Sequence, residues 1–278
     1  MEFGWSVSLG GYDVATLTFY SGERRLGPAP VVFAKDSFSG TRQVDLKDHP
    51  LLFEAFVDLE PTEEAVRTFA NNYGLLGFET SVPFPIGGNK HRLLRGELLS
   101  VWKREITALR IAFKVWELLD RGTDDELGQH LIWNKHGVEL YNPPGFDGLE
   151  FNELIYEDDA PPLDPDDVKT RIRHWLQKHI NARLKTHVEL HLIEDGLGNL
   201  IYSYKPKNAL AVAWYQFSQV VTGVTRLNRC LVCGRPLIVK RGGRSDRVYC
   251  SKRCNMRASR SGKRVRKQLT TVKTPKTT

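Results

Sequence analysis

Cysteine is scarce in this chain of 278 residues: there are four, and all of them lie between positions 230 and 254. That distribution excludes a disulfide-stapled small fold, which would need thiols throughout. Long apolar runs are also missing. No eighteen consecutive residues are free of charge and apolar, and the start, Met1-Glu2-Phe3-Gly4-Trp5, has no basic stretch leading into an apolar core. No spanning helix or signal peptide is therefore expected, and a cytoplasmic location follows as the default. The chain lacks a phosphate loop, a nucleophile elbow, a dinucleotide fingerprint and a metalloprotease motif, so no catalytic residues are assigned and an enzyme is not expected. No repeat of fixed period appears, which argues against a solenoid. What is present is 41% hydrophobic and 26% charged residues, the composition of a soluble globular protein.

The net charge of +7 conceals a division. Residues 225–278 carry 17 Lys and Arg against one acid, Asp246, a net +16; from totals of 40 bases and 33 acids this leaves 23 and 32 upstream, a net −9. An acidic body is followed by a basic tail. All four cysteines fall in the basic part, so charge and cysteine usage place one boundary near residue 225. The expected organisation is an α+β body over 1–224, a four-cysteine finger over 225–260 and a basic, flexible tail over 261–278.

Within the body, the first sixty residues alternate apolar and polar positions between glycines, which predicts short antiparallel strands. Thr62 before Glu63 and Glu64, with Gly74 as a stop, predicts a helix over 63–73. Gly87-Gly88-Asn89 marks a loop. Over 93–119, Leu99, Trp102, Ile106, Leu109, Phe113 and Trp116 recur at steps of three and four, the strongest helical signal in the chain. The stretch 157–167 has six acids, no base and three prolines, and reads as an exposed loop or linker. Pro165 then opens a helix running to about 185, with Ile172, Trp175, Leu176, Ile180 and Leu184 inward. Residues 188–204 carry a hairpin pattern around Asp195–Asn199, and Asn208 caps a last helix that Gly223 ends. Trp102, Trp116, Trp175 and Trp214 fall on apolar faces and are expected in the core.

The cysteines are spaced Cys230-x2-Cys233, sixteen residues, then Cys250-x3-Cys254. Two close pairs suit the tetrahedral demand of zinc, each spanning one edge of the tetrahedron. Four thiolates would leave no open position for water, so such a zinc is structural, one per chain. Buried thiols or disulfides are the plainer alternative, and a cytoplasmic chain disfavours the latter. Between the pairs, Leu237-Ile238-Val239 and Arg247-Val248-Tyr249 flank Arg241-Gly242-Gly243-Arg244 and are expected to pair as a hairpin. Residues 255–260 are helix-compatible, with Ser251 placed to cap. A knuckle, a hairpin and a ligand-bearing helix together make a treble-clef-like finger.

The segments Cys230-Leu-Val-Cys233-Gly234-Arg235-Pro236-Leu237 and Arg244-Ser-Asp-Arg-Val-Tyr249-Cys250-Ser251-Lys-Arg-Cys254-Asn-Met-Arg257-Ala258 resemble bacterial CGNR-type zinc fingers. Upstream, Phe69-Ala-Asn-Asn-Tyr-Gly-Leu-Leu-Gly77 and Ala209-Leu-Ala-Val-Ala-Trp-Tyr-Gln-Phe217 are more weakly similar to the ABATE-like, stress-response-regulator-like domain that precedes such fingers. The resemblance implies DNA binding through the finger and a role in transcription regulation. The tetrad that names the family, Cys-Gly-Asn-Arg, is here Cys254-Asn255-Met256-Arg257, which keeps its first and last members.

Beyond the cysteines, Arg257, Arg260, Arg264 and Lys267 would form one stripe on a helix continuing from Cys254, able to track phosphates, with Lys240, Arg241 and Arg244 at the hairpin tip as a second contact. The plainer reading is a solvated basic tail. His187-x3-His191 is read as a core or surface pair in preference to a metal pair. Arg173-x5-His179 resembles the Arg-His signature of helical RNA-cleaving enzymes, yet on a helix the two side chains stand roughly 120° apart and converge poorly. The expected partner is double-stranded DNA, with RNA as the alternative and an unidentified ligand or protein for the body. A zinc-stabilised protein-interaction module is the competing reading.

Overall fold

The computed structural model describes residues 4–21, 24–35, 40–45, 48–78, 80–87, 90–121, 131–134, 137–141, 152–154, 165–194, 198–233, 236–240, 248–249 and 251–260. The chain divides into two compact units, Met1–Val221 and Thr222–Thr278. Helices and antiparallel strands are mixed throughout, so the class is α+β. No described helix is long and apolar enough to cross a membrane.

The first unit opens with β1 (Gly4–Ser8), β2 (Tyr12–Ser21), β3 (Arg24–Ala34) and β4 (Thr41–Asp45). The expected antiparallel strands are present, with β1 paired to β4 and β2 to β3. They do not fill the first sixty residues, because Leu52–Val57 form a short helix, α1. Its apolar side chains Leu52, Phe53 and Phe56 are buried together, and it lacks a side-chain cap. Gln216, far along the chain, supplies one substitute: its Oε1 accepts from Phe53 N at 3.1 Å while its Nε2 donates to His49 O at 2.7 Å. At the other end the Arg110 guanidinium donates to the carbonyls of Val57 and Leu59. Both ends of α1 are thus completed by distant side chains, as buried backbone groups require.

Helix α2 (Glu63–Tyr73) has the expected limits, and the Thr62 hydroxyl accepts from Ala65 N at 3.3 Å. Its C-terminal carbonyls are taken by Trp5 Nε1, 2.6 Å from Tyr73 O, and by Arg42, 2.8 Å from Asn72 O. The Asn71 amide pairs both ways with the backbone of Tyr12, at 2.8 and 3.1 Å. These bonds fix α2 against β1, β2 and β4.

Residues 80–98 correct the sequence reading. They form β5 (Thr80–Gly87) and β6 (Lys90–Leu98), and helix α3 (Leu99–Arg121) begins six residues later than expected. The order in the four-stranded sheet is β2-β3-β6-β5, which leaves β5 at an edge where Pro83 and Pro85 break no interior ladder. Gly96 lies where β6 crosses β3; a Cβ there would come within 2.9 Å of Val31 Cγ1 and Val32 O. The helical period is real, but it starts only at Leu99. Strands β7 (Leu131–Asn134), β8 (Gly137–Tyr141) and β9 (Asn152–Leu154) form a separate antiparallel sheet. Residues 157–164 of the acidic stretch lie outside the described residues.

Helix α4 (Pro165–His187), the hairpin β10 (Val188–Glu194) and β11 (Leu200–Pro206), and helix α5 (Ala209–Val221) follow as expected. Asn208 Oδ1 accepts from Ala211 N at 2.8 Å and so caps α5. Helix α5 is buried on nearly every side, which makes it the central helix of the unit. Around it α1, α3 and α4 pack, and the core is aromatic: Phe53, Phe113, Trp116, Trp214 and Phe217 stand with neighbouring ring centroids about 6 Å apart, continuing through Phe56, Trp102 and Phe69. Trp102, Trp116, Trp175 and Trp214 are all buried.

The second unit contains β12 (Thr225–Arg229), β13 (Pro236–Lys240) and helix α6 (Lys252–Arg260). Its hairpin differs from the expected one. Strand β13 pairs with β12, in the register Leu227 opposite Ile238, and Val248 and Tyr249 are not in a strand. The two competing connections, 230–235 and 241–246, are each six residues long, so loop closure does not decide between them.

Candidate metal centre

That hairpin puts the first cysteine pair at its turn. Cys230 directly follows β12 and is buried; Cys233 lies in the turn at 231–233 and is exposed. Leu231 N donates to Val248 O at 3.1 Å, which draws the segment before Cys250 against the turn. Helix α6 delivers the third thiol. Ser251 is its cap: the hydroxyl accepts from Cys254 N at 3.2 Å and the carbonyl from Asn255 N at 3.1 Å. Cys254 therefore sits at the third helical position, in the first turn.

The sulfur atoms of Cys230, Cys233 and Cys254 all lie within 4.8 Å of one another, and Cys233 Sγ and Cys254 Sγ are 3.7 Å apart. A disulfide would need ~2.05 Å. Two thiolates on one tetrahedral zinc, each at about 2.3 Å, are separated by about 3.8 Å. The three thiols are thus spaced as metal ligands and could hold a metal ion. Cys250 lies outside the described residues.

Around the thiols the helix is strongly two-sided. Ala258 is buried on the cysteine side, whereas Lys252, Arg253, Met256, Arg257 and Arg260 are exposed. At 3.6 residues per turn those five fall within an arc of roughly 140°. Arg257 and Arg260 were expected on this face; Lys252 and Arg253 were not, because the stripe was sought only from Cys254 onward. Lys240 ends β13, and Arg241, Arg244, Arg264 and Lys267 lie outside the described residues.

The first unit holds a second polar cluster. The buried Glu105 carboxylate receives Arg183 Nε at 2.9 Å and Arg104 Nε at 3.1 Å. His187, at the end of α4, is buried with its Nδ1 3.4 Å from Asn208 Nδ2 and its ring 5.1 Å from that of Phe78. Burial lowers its pKa, an effect that Glu105 opposes and Arg183 and Lys207 reinforce. His191 is exposed and 3.1 Å from Glu189. The two histidines thus have different surroundings and form no ligand pair. His179 stacks on Trp175, ring centroids 4.1 Å apart, with its Nδ1 3.0 Å from Trp175 O, while Arg173 is exposed.

Fold and site together define an α+β protein with a cysteine cluster built from a hairpin turn and a helix start. The chain matches no protein-family model, no curated protein and no solved structure.

Proposed function

We propose that the chain is a zinc-containing nucleic-acid-binding protein, a DNA-binding regulator in which a treble-clef-like finger presents α6 to duplex DNA. The metal is structural, with Cys250 as fourth ligand, and the first unit serves as the sensing or partner-binding part. The observation that carries this reading is the exposed face of α6. Four cations, Lys252, Arg253, Arg257 and Arg260, sit on one side of a helix whose other side bears Cys254 and Ala258. A metal that anchors the first turn would hold this face rigid, and a rigid array of cations neutralises several phosphates at once. The +16 charge of residues 225–278 supports the same reading, with 261–278 as further phosphate contacts.

A salt titration of binding to duplex DNA tests it. Affinity should fall steeply with salt, and Arg253→Ala with Arg260→Ala should lessen the logarithmic slope by about 2, one per lost phosphate contact, on unrelated sequences alike. Arg257→Lys retains charge but loses the guanidinium fork, so weaker binding at unchanged zinc content marks an oriented contact. A chain ending at Gly223 should lose affinity altogether. Full binding by that truncated chain overturns the assignment.

A second reading, a finger that docks on another protein, is favoured by two exposed apolar side chains, Leu231 and Met256. Under that reading DNA affinity is weak and insensitive to the arginine substitutions.

A further inference from the structure

The exposed large apolar side chains of the described residues are concentrated on one hairpin. In β10 and β11 the cross-strand pairs Leu190–Tyr204, Leu192–Tyr202 and Glu194–Leu200 share a face, because residues two apart point the same way. On that face Leu190 is 57% exposed, Leu192 59%, Leu200 68%, Tyr202 70% and Tyr204 49%. At the base of the hairpin Val188 is half-buried and Pro206 buried, and Tyr204 rests against Tyr215 of α5, ring centroids 5.8 Å apart. The strands are therefore anchored to their unit at one end and carry a bare apolar surface beyond it. Monomeric proteins rarely leave so contiguous a patch to water.

We infer that this face is a homodimer interface, its occupant the same hairpin of a second copy. Three observations select that partner. The first is self-complementarity: β10 contributes a leucine row and β11 a tyrosine row. A twofold axis parallel to the strands lays each leucine row on the partner's tyrosine row, so both halves are satisfied by the same contact. The second is charge. Glu189 is held by His191 at 3.1 Å and Lys207 at 3.2 Å on the opposite face, and the one acidic or basic side chain charged at neutral pH among the three pairs is Glu194 at the tip. Nothing on the apolar face attracts a nucleic acid or an anionic lipid surface. The third is area. Five large side chains at these exposures present on the order of 600 Å² per copy, close to the ~800 Å² per partner of a specific interface before flanking residues are added. The hairpin also forms a sheet of its own, with no third strand hydrogen-bonded to it among the described residues.

This inference stands apart from the nucleic-acid reading; each survives failure of the other. Sedimentation velocity on the full chain between about 1 and 100 μM tests it, a range that brackets moderate affinities. The wild type should sediment at twice 31.7 kDa. Leu192→Asp combined with Tyr202→Asp should raise the dimer dissociation constant at least ~100-fold, since four apolar side chains are lost across the twofold, with an unchanged circular dichroism spectrum. Leu192→Ser gives the same direction with smaller amplitude if the double variant does not fold. Glu189→Gln, on the other face, should leave the dimer intact. A wild type that stays monomeric at 100 μM overturns the inference, and its co-sedimentation with phosphatidylserine vesicles would reassign the face to a lipid surface. A dimer that persists in the double variant overturns it equally, because the interface then lies elsewhere.

Discussion

Replacing Glu97 with Gln tests how the first unit holds the segment that follows α2. Glu97 lies on β6 and is buried; its Oε2 accepts from Leu76 N at 2.9 Å and its Oε1 from Phe78 N at 2.7 Å. A carboxylate presents two acceptors, so it can receive two backbone donors that are two residues apart. Glutamine presents one, and its amide nitrogen would point a donor at a donor. One buried N–H is then left unmade, which costs about 1–3 kcal/mol, and the surviving bond loses its charge assistance, about 1 kcal/mol more. A total near 3 kcal/mol follows. For a unit of this size each kcal/mol moves the melting temperature by about 2–4 °C, so a fall of ~6–12 °C is expected. All six tryptophans, at positions 5, 102, 116, 133, 175 and 214, lie in Met1–Val221, so thermal unfolding followed by tryptophan fluorescence reports this unit alone. Glu97→Ala, which strips both acceptors, should cost at least as much. A Glu97→Gln melt within 2 °C of wild type would mean that water or a rearranged loop serves these amides, and the reasoning would fail.

Burial holds His187 neutral in the folded state, with its pKa below the ordinary 6.5, so the unfolded chain binds the proton first as pH falls. Stability from this group is complete above about pH 6.5 and declines below it, and urea unfolding at pH 5 and 7.5 should show a drop that His187→Gln reduces. Gly77 has φ +92°, and a Cβ there would stand 2.1 Å from Asn208 Nδ2; Gly77→Ala should cost about 3 kcal/mol, from backbone strain and a displaced α5 cap. Combining it with Asn208→Ala should cost less than the sum of the two, which a double-mutant cycle in urea measures. On the proposed zinc site, elemental analysis should find one zinc per chain in the wild type and less in Cys254→Ser, which should also unfold the second unit while the tryptophan melt stays unchanged.

What was legible in the sequence was local. The limits of α2 follow from Thr62 and Gly74, and the start of α5 from Asn208; in each case the side chain that caps the helix is within three residues of the amide it serves. Helix α1 had no such mark. Its ends are completed by Gln216 and Arg110, and no spacing rule connects residues so far apart. The hairpin of β5 and β6 was obscured for a related reason. Prolines at 83 and 85 argue against a strand unless it is known to be an edge, and edge status is a property of the sheet. The same holds for Glu97, Glu105 and Asn71, whose carboxylates and amide serve backbone or charged partners from other elements. Their residue types are ordinary on a surface, and only the fold buries the two carboxylates and brings the Asn71 amide to its partner.

The cysteine region divides along the same line. Close pairs at two- and three-residue spacing predict thiols that meet, and three of the sulfur atoms do lie within 4.8 Å of one another. The strand partner was misread because two candidates, 225–229 and 247–249, flank β13 at connections of equal length, and the sequence alone does not choose between them. The error at α6 is smaller but matters more for the basic face. Ser251 was expected to cap a ligand-bearing helix, but the cationic stripe was sought only from Cys254 onward. Ser251 does cap, and the helix takes in Lys252 and Arg253 ahead of Cys254. The cations therefore extend along the helix before and after the thiol, and Arg253 and Arg257 flank Cys254 in sequence. A metal bound there would anchor the first turn from the side opposite that face, so the cations before and after the thiol would be oriented by the same anchor.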